Sequence, residues 1–139
     1  MNHVGQLIEA RRLAYLNGAA VARNGVADFD TLIDAVRGAY LAHADGDVVM
    51  PKSEYLRYPG RPGYDRIIPL LGHLGGAVGV SGLKQICSGT GNGGRGFPRA
   101  SGLIILNEPA SNRPFAVLEG AGISAARTAA VTGLALRQL

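Results

Sequence analysis

From Asp28 to Asp45 the apolar residues Leu32, Ile33, Val36, Tyr40 and Leu41 recur every three or four positions, which is one face of a helix. Asp28 or Asp30 can cap its start, since either carboxylate can accept a first-turn N–H. Gly46 stands where such a helix stops. Val48 and Val49 then open a strand that reaches Pro51. Arg57-Tyr-Pro-Gly-Arg-Pro-Gly63 repeats Pro-Gly and reads as two turns. Arg66 to Leu71 and Gly82 to Cys87 read as strands, separated by the glycine-rich run Gly72 to Gly82. Ser88 to Pro98 holds five glycines and reads as a loop. Leu103 to Leu106 and Phe115 to Leu118 flank Asn107-Glu-Pro109 and Asn112-Arg-Pro114, a pattern that predicts a hairpin. From Ser124 onward Ala, Leu, Arg and Thr favour a closing helix with Ser124 as its cap. The layout is α+β: one helix, several strands and a second helix, with no internal repeat.

Composition narrows the class. A chain of 139 residues makes one domain, and 47 % hydrophobic against 17 % charged residues excludes a disordered polymer. The mean hydropathy is +0.13. Glycine, at 21 residues, runs about twice its usual share of roughly 7 % and signals tight turns or close backbone approach. The lone Cys87 excludes a disulfide framework and fits a reducing cytoplasm. Met1 to Arg12 has no apolar core of signal-peptide length, and Ile67 to Leu83 is too short and too glycine-rich to span a bilayer. The expected location is cytoplasmic.

Charge is concentrated in the middle. Between Val48 and Asn107 stand seven basic and two acidic residues, so this stretch carries +5 against +4 for the whole chain. Twelve of the 14 basic residues are Arg, which favours forked recognition of carboxylate or phosphate. Nucleic acid is a poor fit, because no basic run exceeds Arg11-Arg12 and aromatic residues are only 6 %.

Two glycine clusters match the dinucleotide fingerprint in form. Gly89, Gly91 and Gly94 fit G-x-G-x-x-G, but Pro98 stops a regular helix from following. Gly120, Gly122 and Ala125 fit G-x-G-x-x-A between a strand and a helix, yet no acidic residue follows to hold a ribose. A close-packed strand-to-helix turn is the simpler reading. His3, His43 and His73 are far apart, and none neighbours Cys87, so no metal-ligand spacing exists. Cys87 reads as a small buried hydrophobe. Lys84, Arg99, Arg127 and the Arg57/Arg61/Arg66 group remain as candidate anion contacts. Alternation turns Lys84 away from Leu83, and Arg127, on the first turn of an Ala-lined helix, opposes the dipole and calls for an anionic partner. Glu119 and Glu108 are the candidates for an internal ion pair, and surface exposure is the other alternative.

The runs Gly96-Phe-Pro-Arg-Ala-Ser-Gly-Leu-Ile-Ile-Leu-Asn-Glu-Pro109, Arg113-Pro-Phe-Ala-Val-Leu-Glu-Gly120 and Ile123-Ser-Ala-Ala-Arg-Thr-Ala-Ala130 resemble the ornithine cyclodeaminase/μ-crystallin family. Gly82-Leu-Lys84 and Asn92 are similar to its G-x-K strand and following Asn. Pro51-Lys-Ser-Glu-Tyr-Leu-Arg57 and Phe97-Pro-Arg99-Ala-Ser look most like its diaminopropionate-biosynthesis branch, which supplies siderophores and other secondary metabolites. In that branch an NAD-dependent enzyme oxidatively cleaves a glutamate conjugate to diaminopropionate and 2-oxoglutarate.

The resemblance implies an α+β substrate-binding and dimerisation domain over residues 1–139, with the Rossmann domain absent. It makes Lys84 a catalytic and substrate-binding residue that assists proton transfer, and Arg57 and Arg127 further substrate contacts. Arg127 and Arg99 would approach NAD, which is otherwise held by a Rossmann domain outside this chain. Arg99 replaces a common threonine and suggests a more acidic substrate. The implied partners are a second copy, an amino acid with several carboxylates, and a Rossmann-domain chain; no metal, nucleic acid or membrane is implied. The alternative is a non-catalytic homologue that dimerises or binds a small anionic amino acid.

Overall fold

The computed structural model describes residues 12–139, so His3 and all of the Met1–Arg12 stretch but Arg12 lie outside the described residues. A seven-stranded sheet runs in the order β1-β7-β6-β5-β4-β2, with β3 pairing on β4 beside β2. The strands are β1 (Ala14–Leu16), β2 (Val48–Val49), β3 (Leu56–Arg57), β4 (Arg66–Leu74), β5 (Val80–Ser88), β6 (Ala100–Asn107) and β7 (Pro114–Glu119). All neighbours are antiparallel except β1 and β7. The helices are α1 (Gly18–Val21), which runs into a distorted turn over Ala22–Val26, then α2 (Phe29–Ala44) and α3 (Ala121–Leu136).

The α2 helix forms where its periodicity predicts. Asp28 is the cap: its Oδ1 accepts from Thr31 N at 3.2 Å and its Oδ2 from the Thr31 hydroxyl at 2.7 Å. Those bonds favour the ionised carboxyl and hold Asp28 below the usual Asp value. At the other end Gly46 takes the left-handed φ of 84° that a side chain resists.

Three expectations need correction. The glycine-rich run does not separate β4 from β5 at Gly72 and Gly82; these residues face one another inside the ladder, and only residues 75–79 turn. At Gly82 a Cβ would lie 2.4 Å from the Ile105 carbonyl oxygen, so glycine serves close strand approach there. The closing helix starts at Ala121, three residues before Ser124. Its first N–H groups are taken by the carboxylate of Glu119, which accepts from Ala121 N at 2.5 Å and Gly122 N at 3.1 Å. A carboxylate folded back from the end of β7 thus does the work expected of a Ser124 cap. Leu56–Arg57 pairs as β3, so the two turns begin after it, closed by Arg61 N to Tyr58 O and Asp65 N to Pro62 O.

Two further elements were not foreseen. The α1 helix is capped by Asn17, which accepts from Ala20 N at 3.0 Å, and β1 pairs in parallel with β7. A three-residue strand is too short to carry a period.

Among the described residues the buried apolar side chains are Val21, Ile33, Phe115, Ala116 and Ala130, which places the core between the helices and the β7 side of the sheet. The α2 and α3 helices meet at Ile33 and Gly133, where a Cβ would lie 2.8 Å from Ile33 Cδ1. Gly120 is buried, its N–H bonded to Gly102 O at 2.8 Å, which pins the start of α3 to β6. The register puts Tyr15, Val49, Leu56, Leu71 and Leu103 on the sheet face opposite Lys84, and all five are exposed. Among the described residues no helix is long and apolar enough to cross a membrane.

Candidate functional site

Lys84 sits mid-way along β5, opposite Leu70 on β4 and Ile104 on β6. Its Nζ donates to the Ser124 hydroxyl on α3 at 3.2 Å. Arg127 follows three residues later, on the same side of the helix. The pinned start of α3 sets this geometry, because it brings the first turns of the helix over the centre of the sheet. Burial lowers the Lys84 amine below its ordinary value of 10.5, and the positive charge of Arg127 lowers it further.

Neither cation has an acidic partner among the described residues, where the ion pairs join Arg137 to Asp30 and Asp34. Both carboxylates proposed as internal partners are occupied elsewhere. Glu119 caps α3, and Glu108 accepts from Ala110 N, Ser111 N and the Ser111 hydroxyl. The earlier helix start also moves Arg127 to the second turn rather than the first, where the opposing dipole is weaker. Two adjacent cations without an anion are suited to take a carboxylate from a ligand.

The other candidate residues lie elsewhere on the sheet. Arg57 is exposed on β3, donates to the Gly63 carbonyl, and lies over the Tyr55 ring with its Cζ 5.3 Å from the centroid. Arg99 is exposed just before β6, and its carbonyl accepts from Gly89 N at 2.9 Å. Arg57, Arg66, Ser88 and Ala100 form one row across the ladder, and Lys84 stands four residues along β5 from it. At about 3.4 Å per residue that is roughly 13–14 Å of strand. The structure thus places Lys84 within electrostatic reach of the exposed Arg127 and leaves Arg57 and Arg99 towards the end of the sheet. Sequence reasoning took Ser124 for a cap and missed its contact with Lys84, for which a residue three positions before Arg127 was the only signal.

Neither glycine cluster makes a pyrophosphate cradle. At Gly120-Ala-Gly122 the helix N–H groups already bond the Glu119 carboxylate, whose charge would repel a phosphate. At Gly89 the Asn92 side chain fills the space beside the glycine, bonding Pro98 O at 3.0 Å, and only the short turn Gly93–Arg95 follows. The two glycine clusters therefore do not fit the pyrophosphate of NAD. Of the two described histidines, His73 Nδ1 pairs with the Ser81 hydroxyl at 2.9 Å and His43 is exposed. Among the described residues no three His, Cys, Asp or Glu could together hold a metal. Cys87 is half-buried rather than buried, because it sits near the open end of β5.

The chain is 42 % identical over 132 residues to the N-((2S)-2-amino-2-carboxyethyl)-L-glutamate dehydrogenase of Staphylococcus aureus, covering 93 % of this chain and 39 % of that protein. It is 34 % identical over 110 residues to the alanine dehydrogenase of Archaeoglobus fulgidus, covering 79 % of this chain and 32 % of that one. An archaeal alanine dehydrogenase dimer solved with bound NAD superposes with a TM-score of 0.77 at 29 % identity, over 87 % of this chain and 35 % of that one. The chain thus spans less than two fifths of the length of these relatives. Residues 19–139 match the profile of the ornithine cyclodeaminase/mu-crystallin family, and the chain belongs to that family.

Proposed function

We propose that this chain is the substrate-binding and dimerisation domain of an NAD-dependent amino-acid dehydrogenase that works in the cytoplasm. Its substrate is a glutamate conjugate of diaminopropionate, cleaved oxidatively to diaminopropionate and 2-oxoglutarate. The observation that carries this reading is the Lys84–Ser124–Arg127 arrangement, two cations held on rigid elements without a carboxylate of their own. The 42 % identity to the staphylococcal glutamate-conjugate dehydrogenase supports the substrate class.

In this reading Arg127 grips a substrate carboxylate through its forked guanidinium. Lys84 contacts the same group and exchanges a proton at the substrate nitrogen, which its lowered affinity for protons favours. Ser124 holds the Lys84 amine in place. Arg57 and Arg99 serve at the periphery, Arg57 towards substrate and Arg99, with Arg127, towards the cofactor. The redox step belongs to an NAD-binding domain that this chain's glycines do not supply.

The uncovered apolar face of Tyr15, Val49, Leu56, Leu71 and Leu103 fits a second copy, as the dimeric archaeal alanine dehydrogenase suggests. The test is NADH formation from the glutamate conjugate by the chain assembled with its NAD-binding domain. Lys84→Ala and Arg127→Ala should each abolish most of the rate, and an unchanged rate in both would refute the assignment.

A further inference from the structure

The end of the sheet marked by Arg66 and Ser88 holds a second basic cluster that the Lys84 site does not use. A cavity of about 170 Å³ lies there, with Arg61, Arg66, Arg95 and Ser88 in its wall. Arg66 has five N–H donors, yet its one hydrogen bond is from Nη1 to the Tyr64 carbonyl at 3.4 Å. Its Nε is buried and unpaired, and so is the Ser88 hydroxyl directly opposite across the β4–β5 ladder. Buried polar groups are nearly always paired, so two orphans on facing strand positions call for a partner that the described residues do not supply.

The neighbouring cations are equally unspent. Arg61 lies over the Tyr58 ring, its Cζ 4.6 Å from the centroid, and Arg95 donates to Asn92 Oδ1 at 2.7 Å. Neither is ion-paired to a described carboxylate. Asp65 is the acid in the wall, but its Oδ1 already accepts from Thr90 N at 2.7 Å and the Thr90 hydroxyl at 2.8 Å. Those bonds, with smaller help from Arg61 and Arg95, hold Asp65 ionised below its usual value. Three guanidiniums therefore face one carboxylate that is bound elsewhere.

We infer that this cavity is an oxyanion subsite, separate from Lys84 and Arg127, that takes a carboxylate or phosphate group. Guanidinium forks and a hydroxyl donor match the planar or tetrahedral oxygens of such a group. The volume is below the roughly 300–1,000 Å³ of a drug-sized site, so the ligand presents a single anionic group on a short tail.

The test uses the protein with isotope-labelled arginine and follows the Arg66 Nε–H resonance during titration. Glutarate and inorganic phosphate are the probes, with neutral glutaramide and matched sodium chloride as controls. Saturable movement with either anion and with neither control supports the subsite, and the anion that saturates at lower concentration identifies the source. In the exposed-residue variant Arg95→Gln the Kd should rise at least tenfold. A resonance that ignores both anions, follows salt alone, or responds identically in Arg95→Gln overturns the inference. Because Lys84 and Arg127 are untouched, the outcome is independent of the proposed catalytic role.

Discussion

Lys84 Nζ and Ser124 Oγ lie 3.2 Å apart although 40 residues separate them, and this bond ties the middle of β5 to α3. It sets the orientation of an amine whose charge is disfavoured by burial and by Arg127. That charge has a measurable consequence. Between the folded-state value and 10.5, the folded chain binds fewer protons at Lys84 than the unfolded chain does. Stability contributed by this group therefore rises with pH through that window. Urea unfolding across neutral to alkaline pH should show a steeper rise for the native sequence than for Lys84→Met, which should also be the more stable at neutral pH.

Capping of α3 by Glu119 makes a second prediction. Glu119→Ala leaves Ala121 N and Gly122 N without their acceptor and should cost about 1–2 kcal/mol in chemical denaturation. Glu119→Gln keeps one acceptor oxygen and should recover most of that loss. Equal losses in the two variants would argue against the cap.

Packing of the two long helices turns on Gly133 and Ile33. A valine at Gly133 overfills a contact already closed at 2.8 Å for a Cβ, and should destabilise by about 1–3 kcal/mol. Gly133→Ala meets only the Ile33 side chain, so its steric cost is partly offset by roughly 1 kcal/mol of helix propensity. Combining Gly133→Ala with Ile33→Val should be more stable than the sum of the single changes predicts.

The exposed face opposite Lys84 predicts self-association. Leu71 and Leu103 are 54 % and 40 % exposed, so changing both to Lys costs the single chain little. Sedimentation velocity should show a dimer for the native sequence and a monomer for the double variant. A monomer in both cases would refute the interface.

How far the sequence could be read depended on whether the cause was local. The α2 helix was legible from its apolar spacing, its Asp28 cap and its Gly46 stop, all of which act within a few residues. The β6–β7 hairpin was legible for the same reason. The β1 strand was not, since its pairing joins Ala14 to the distant Ala116 and only three residues carry it. Ser124 misled because the helix starts three residues earlier, at Ala121, where the Glu119 carboxylate takes the first N–H groups. At the site, Lys84 and Arg127 were picked out by their type and by the family resemblance. Their proximity through Ser124, and the distance of Arg57 and Arg99, follow from strand register. Arg66 was legible as part of the Arg57/Arg61/Arg66 group, whereas its place opposite Ser88 follows from strand register.

The central claim is that Lys84 and Arg127 together receive a substrate carboxylate. Calorimetric titration of the native protein, Lys84→Met, Arg127→Met and the double variant with the glutamate conjugate tests it most directly. Hydrogen bonds to charged groups contribute about 1.5–3 kcal/mol, so each single variant should weaken binding roughly 10- to 150-fold, and the two losses should not add. Affinity unchanged in both single variants would contradict the account.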